Sequence, residues 1–136
     1  MGHAFLTFRD RSIHLHDTWI ETLRGLIVRH ARPPETMRAA FDEFVGDWGR
    51  LGPGVWSGGA FRSFVDGPEA EARRVMLVEA IVAARDEVVA QGEELSVAFL
   101  DAIPQHEEYG TGGFGGPVPA TKVLSALDQA LGLLRA

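Results

Sequence analysis

The chain has 136 residues, of which 46% are apolar and 24% charged. These values are typical of a globular domain and argue against a disordered or fibrous protein. There is no cysteine, which excludes disulfides, iron–sulfur clusters, thiolate zinc sites and cysteine nucleophiles. Nineteen acidic residues outnumber 13 basic ones, giving a formal net charge of -6, and the basic residues are scattered. Nucleic acid and anionic membranes are therefore not expected as partners, and residues 1–136 are expected to form a single globular domain.

The subcellular location is predicted from the absence of signal-peptide and membrane-spanning patterns in the sequence. Residues 1–9 have neither the basic segment nor the apolar run of a signal peptide, and no stretch reaches the roughly 18 apolar residues of a spanning helix. A cytoplasmic protein is expected. Lys122 is the single lysine among the 13 basic residues, and arginine in place of lysine, with abundant alanine and glycine, suggests a GC-rich and hence bacterial genome.

A β-hairpin is predicted at residues 4–16, because apolar and polar residues alternate there. Leu6 and Phe8 share one side of the first strand, and Ile13 and Leu15 share one side of the second. The polar residues 9–12 between them suit a turn. An isolated hairpin is marginally stable in water, so its apolar side is expected to lie on the helices that follow.

Two amphipathic helices are predicted next. Asp17 is a natural N-cap for a helix that starts at Thr18, and Pro33-Pro34 ends that helix and opens the second, which runs to about Trp48. His30 continues the apolar face of the first helix, where we expect it to be half-buried near the helix end rather than catalytic. The apolar stripe of the second helix consists of Met37, Phe41, Phe44, Val45 and Trp48.

Three further helices complete the predicted fold. Asp66 with Glu69 predicts a capped start for a long helix that ends at Gly92, a shorter helix stops at Pro104, and the last begins at about Pro119. The sequence therefore predicts a mainly α fold, a compact bundle of about five helices with a short N-terminal β-hairpin and two Gly-rich loops, at residues 49–63 and 105–118.

Aromatic side chains in or beside the two Gly-rich loops are candidates for contact with a partner. They are Trp56, Phe61, Tyr109 and Phe114. Aromatic side chains framed by flexible backbone are typical of protein interaction surfaces. The alternative is that the loops fold back and the rings fill the ends of the bundle. Phosphate binding is not favoured, because the loops lack the spacing of a P-loop and of a dinucleotide fingerprint.

His14 and His16 are the candidate metal ligands, because residues two apart on a strand share a face and imidazoles bind zinc. The alternative is a wet strand face, since a third ligand such as His106 would have to come from far away in the sequence. Other chemistry has little support: no serine lies in a nucleophile elbow, and no carboxylate is expected on an apolar helix stripe. Carboxylates predicted on wet helix faces are Glu21, Asp42, Glu43, Asp47, Glu71, Glu79, Asp86 and Glu87.

Two functional hypotheses follow. The favoured one is a small non-catalytic protein without a cofactor that acts through protein–protein contacts, either as a homo-oligomer or by binding a partner as a toxin-neutralising immunity protein does. Its contact surface would be the long helix at Val78, because Val75, Met76, Leu77 and Val78 are apolar on adjacent faces. The alternative is an enzyme or a protein that binds a small ligand or metal, with its site near residues 105–118 and the N-terminal histidine pair.

Overall fold

A computed structural model describes residues 3–50, 61–103 and 116–135. Five α-helices in these residues, α1 (Asp17–His30), α2 (Glu35–Arg50), α3 (Ala70–Ala90), α4 (Val97–Asp101) and α5 (Ala120–Arg135), follow an antiparallel hairpin of β1 (His3–Phe8) and β2 (Arg11–His16). A 3₁₀-helix (Phe61–Ser63) precedes α3, and β3 (Glu94–Leu95) pairs with β4 (Val118–Pro119). The predicted mainly α fold with an N-terminal hairpin is confirmed.

The hairpin lies with its apolar side on the helices, as predicted. Leu6, Phe8 and Leu15 are buried, and both strands contact α1 and α5. The turn is shorter than the four polar residues 9–12 predict. Phe8 pairs with Arg11, so two residues connect the strands. Arg9 takes the left-handed conformation that this tight turn needs, with φ of 58°.

Helix α1 lies at the centre of the molecule. It contacts α2, α3, α5 and both strands of the hairpin, and all residues from 20 to 27 are buried. Ile20, Leu23, Leu26 and Ile27 are each at most 3% exposed. A helix covered on all sides has no wet face over these two turns, so its polar side chains must find partners inside the protein.

Three polar residues of α1 are buried, namely Glu21, Thr22 and Arg24. The Thr22 hydroxyl donates a hydrogen bond to the carbonyl of Thr18 at 2.7 Å. Arg24 Nη1 donates to Glu21 Oε1 at 3.0 Å, and Arg24 Nε donates to the carbonyl of Val45 in α2 at 3.2 Å. The prediction of Glu21 on a wet face is wrong, because α2 packs on the side of α1 that carries Arg24 and Glu21.

Two predicted helix caps are also wrong. Helix α1 begins at Asp17, and its N-cap is His16, whose Nδ1 accepts a hydrogen bond from the amide of Thr18 at 3.2 Å. Helix α3 begins at Ala70 without a side-chain cap, because Asp66 Oδ1 accepts from the adjacent amide of Gly67 at 2.8 Å. The predicted end of α3 is confirmed: Gly92 has φ of +96°, the left-handed region that favours glycine.

A cluster of aromatic rings fills the space beside α2. Phe44 lies 5.5 Å from Phe64 and 6.2 Å from Phe61 between ring centroids, and Trp48 lies 6.0 Å from Phe61. Phe61 is 0% exposed. Phe61 therefore fills the bundle, as the alternative interpretation expects, and is not accessible to a partner of the folded chain. The other three candidate aromatics, Trp56, Tyr109 and Phe114, lie outside the described residues.

Replacing Arg24 with Met should destabilise the fold by about 3 kcal/mol, because it removes the hydrogen bonds to Glu21 and to the Val45 carbonyl inside the protein. Urea unfolding followed by circular dichroism measures the change. Arg38→Met on α2 is the matched control, because the Arg38 side chain is exposed and its Nε lies 3.7 Å from Glu35 Oε2. This variant should change the free energy of unfolding by less than about 0.5 kcal/mol. Equal effects of the two variants would contradict the structural role of Arg24.

Candidate functional site

The outward side of α3 carries an exposed row of valines. Val75 is 40% and Val89 51% exposed, while Val78 and Val82 are half-buried against the core. Val75, Val82 and Val89 are seven residues apart and Val78 lies three after the first, so all four share one side of the helix. We call Val75, Val78, Val82 and Val89 the valine seam.

The valine seam exists because α3 is apolar on two sides. Its inward side packs between α1 and α5 and buries Met76, Leu77, Ala80, Ile81, Ala84 and Val88. A surface helix normally turns charged residues toward water opposite such a stripe. The structure puts Met76 and Leu77 in the core, leaves Val75 exposed and half-buries Val78.

Acidic side chains run alongside the valine seam. Glu79 and Asp86 are exposed, each four residues after a seam valine, and we call them the acidic row. Within the described part of the chain neither carboxylate accepts a hydrogen bond or lies within ion-pair distance of a basic side chain, but the charge of Asp86 acts on the adjacent Arg85. The neighbouring Arg85 donates to Asp128 Oδ1 of α5 at 2.7 Å, so its charge is partly neutralised. The acidic row therefore leaves this surface with net negative charge.

A shallow groove of about 510 Å³ adjoins the seam on the α5 side. Arg85 lines it together with Leu124, Asp128 and other polar residues of α5. Leu124 is half-buried, like the middle of the seam. Because its lining is mostly polar, the groove does not extend the apolar surface of α3.

An ion-pair cluster connects α1 to α3 on another side. Arg29 donates to both carboxylate oxygens of Glu87, from Nε at 2.9 Å and from Nη2 at 2.8 Å, and His30 Nε2 lies 2.7 Å from Glu87 Oε1. The hydrogen bonds from Arg29 hold the pKa of Glu87 below its ordinary value, against the effect of burial, and His30 contributes in the same direction. Glu87, predicted on a wet face, is half-buried in this cluster, and His30 is half-buried as predicted.

The histidine pair of the hairpin is engaged locally. His14 is exposed, and its ring stacks on that of Phe5 with the two ring centroids 4.8 Å apart. His16 caps α1 through Nδ1. Residues 3–50, 61–103 and 116–135 contain no group of three or more His, Asp or Glu side chains arranged to hold a metal ion. His106, the example of a distant third ligand, and residues 105–115 of the Gly-rich loop lie outside the described residues, so the metal site stays a prediction.

A second cleft, of about 330 Å³, lies between the hairpin turn and the start of α3. Arg9, Arg62 and Asp66 line it over a floor that includes Phe8 and Val65. Because charges of both signs line it, it favours no single class of ligand. The valine seam differs from both clefts in that it exposes two large apolar side chains, Val75 and Val89.

Comparison of the chain with protein-family models, with curated proteins and with solved structures gives no significant match. None of the described helices has the length and apolar character needed to span a membrane.

Replacing Glu87 with Gln should lower stability by about 1 kcal/mol near neutral pH, since a charged hydrogen-bond acceptor is lost in a partly exposed site. The pKa of Glu87 is lowered in the folded state, so its contribution is present above the ordinary value of 4.5 and is lost as the pH falls through the folded-state pKa. The difference between wild type and Glu87→Gln should therefore shrink in acid, which urea unfolding at a series of pH values measures.

The control for this experiment is Glu79→Gln, on the exposed side of the same helix, which should match wild type at every pH. A Glu87→Gln variant that keeps a constant difference from wild type down to acidic pH would show that the charge of Glu87 does not stabilise the fold.

Proposed function

We propose that this chain is a non-catalytic protein that acts by binding another protein through the valine seam of α3. The observation that carries the proposal is the exposure of Val75 and Val89 on a helix whose opposite side already supplies the core. Contiguous apolar side chains in water are stabilised by burial in an interface, whereas scattered ones need no explanation.

The dimensions of the seam suit a helical contact. From Val75 to Val89 it extends about 21 Å along α3, at the α-helical rise per residue. Full burial of an exposed valine side chain contributes on the order of 1.5 kcal/mol. The burial of two exposed valines, together with the two half-buried ones, therefore supplies enough free energy for a transient contact but too little for a permanent complex.

The charged side chains inside the fold support a non-catalytic role. Arg24 and Glu21 bind each other within the core, and Glu87 binds Arg29 and His30 between two helices. Each of these bonds connects neighbouring turns or elements, which is a structural use of a charge. The net charge of -6 further fits a protein that neutralises a basic partner, the property expected of an immunity-type protein.

Site-specific photo-crosslinking tests the proposed surface. A photo-reactive amino acid is placed at position 75 or 89 and, as the control, at Ala39, which is exposed on α2. After irradiation of cells that naturally produce the protein, positions 75 and 89 should give a discrete covalent adduct with another polypeptide. The mass of the adduct on a denaturing gel, followed by mass spectrometry, identifies that polypeptide.

The control position distinguishes a docked partner from random collisions. Position 39 should give no adduct of the same mass. Adducts of equal yield from all three positions, or none from positions 75 and 89, would rule out the valine seam as the contact surface.

A further inference from the structure

We infer that the Asp66–Gly67 bond before α3 is a site of spontaneous covalent modification, because the fold holds the Gly67 amide against the Asp66 carboxyl group. The reaction forms a cyclic imide, a succinimide, and converts Asp66 to isoaspartate in the folded protein. It uses water alone as co-reactant. This inference is independent of the valine seam and of any partner that the seam binds.

Asp66 and Gly67 lie in a short exposed segment whose two ends are held in place. On one side, Phe64 belongs to the aromatic cluster and Val65 is buried. On the other side, the amide of Ala70 in the first turn of α3 donates to the carbonyl of Gly67 at 3.1 Å. Water therefore reaches the segment, while its neighbours keep its backbone in one conformation.

The two groups that react already lie close together. The amide of Gly67 donates a hydrogen bond to Asp66 Oδ1, with the nitrogen 2.8 Å from the oxygen. Because this oxygen is bonded to the carboxyl carbon Cγ, the nitrogen lies within about 4 Å of that carbon. Attack of the nitrogen on Cγ closes a five-membered ring. Holding the two atoms near each other lowers the entropy cost of that step.

Glycine after the aspartate leaves the attacking nitrogen unhindered. Gly67 has φ of +76°, in the left-handed region that residues with a side chain rarely adopt. A Cβ placed at Gly67 would meet no atom of the described residues within 4 Å. Neither a side chain of its own nor the surroundings seen in the structure therefore crowd this peptide bond.

The modification proceeds in two steps. In the first, the Gly67 nitrogen forms a bond to Cγ of the protonated carboxyl group, and the hydroxyl group leaves with the amide proton as water. In the second, water adds to one of the two carbonyl carbons of the imide and breaks the bond from that carbon to the nitrogen. Cleavage at Cγ restores Asp66. Cleavage at the main-chain carbon gives isoaspartate, in which the main chain runs through Cβ and Cγ.

Isoaspartate alters the start of α3. It lengthens the main chain by one methylene group between the buried Val65 and Gly67, whose carbonyl accepts the hydrogen bond from Ala70. Because both ends of the segment are held, the longer chain has to strain or break one of these attachments. The modified protein should therefore unfold at a lower urea concentration than the unmodified protein.

Peptide mapping of the stored protein tests this inference. Purified protein is kept at physiological temperature and pH and then digested with trypsin. Isoaspartate is detected by chromatographic separation of the isomers and by methylation with an isoaspartyl methyltransferase. It should accumulate in the peptide of residues 63–73. The internal control is the peptide of residues 123–135, whose Asp128 lies within α5 and accepts from Arg85 at 2.7 Å, and it should stay unmodified.

A synthetic peptide of residues 63–73 measures what the fold contributes. Under the same conditions it should form isoaspartate no faster than the intact protein, because the peptide lacks the fold that holds the amide against the carboxyl group. A faster reaction in the free peptide, or no isoaspartate in the folded protein, would overturn the inference.

The variant Asp66→Glu keeps the charge but has to close a larger ring, so it should give no methylation signal. Circular dichroism checks that this variant is folded. A methylation signal that persists in Asp66→Glu would assign the reaction to another residue and would overturn the inference as well.

Discussion

The burial of α1 on all sides determines how the rest of the structure is held together. Because residues 20 to 27 are buried, the polar groups of Glu21, Thr22 and Arg24 need partners within the protein. Arg24 meets this need by bonding to Glu21 and to the carbonyl of Val45, which fixes α2 against α1. Arg24 is a polar residue on a buried helix, and its hydrogen bond to Val45 thereby determines how α2 packs against α1.

Most of the secondary structure could be predicted because the alternation in the hairpin and the helical period of α1, α2, α3 and α5 are local patterns. The errors arose where a distant contact decides the outcome. The local pattern around Glu21 gives no sign that this residue is buried. Its burial follows from the packing of α2 against α1. Asp66 has the chemistry of a cap but bonds to the amide of Gly67. The strands Glu94–Leu95 and Val118–Pro119 are too short to give a pattern, and each forms only by pairing with the other.

The proposed contact surface lies on the helix that the sequence suggested, and the structure decides which residues of that helix are exposed. Hydrophobic periodicity locates an inward side when the other side is polar, but the outward side of α3 carries valines among its charged residues, so the sequence could not show which valines face water. Val78 was the predicted contact residue, whereas Val75 and Val89 are the more exposed. The acidic row gains its meaning only once the seam is located, since Glu79 and Asp86 otherwise resemble any solvated carboxylates of a surface helix.

The contacts of the hairpin have a consequence for how the protein is made. The hairpin and α1 come first in chain order, yet both pack against α5, the last of the five helices. During synthesis the apolar faces of the hairpin and of α1 leave the ribosome well before the helix that covers them, so they are accessible to chaperones and to other nascent chains in the interval. Folding that closes the core has to wait for α5, so these apolar faces stay exposed on the nascent chain until α5 has been made.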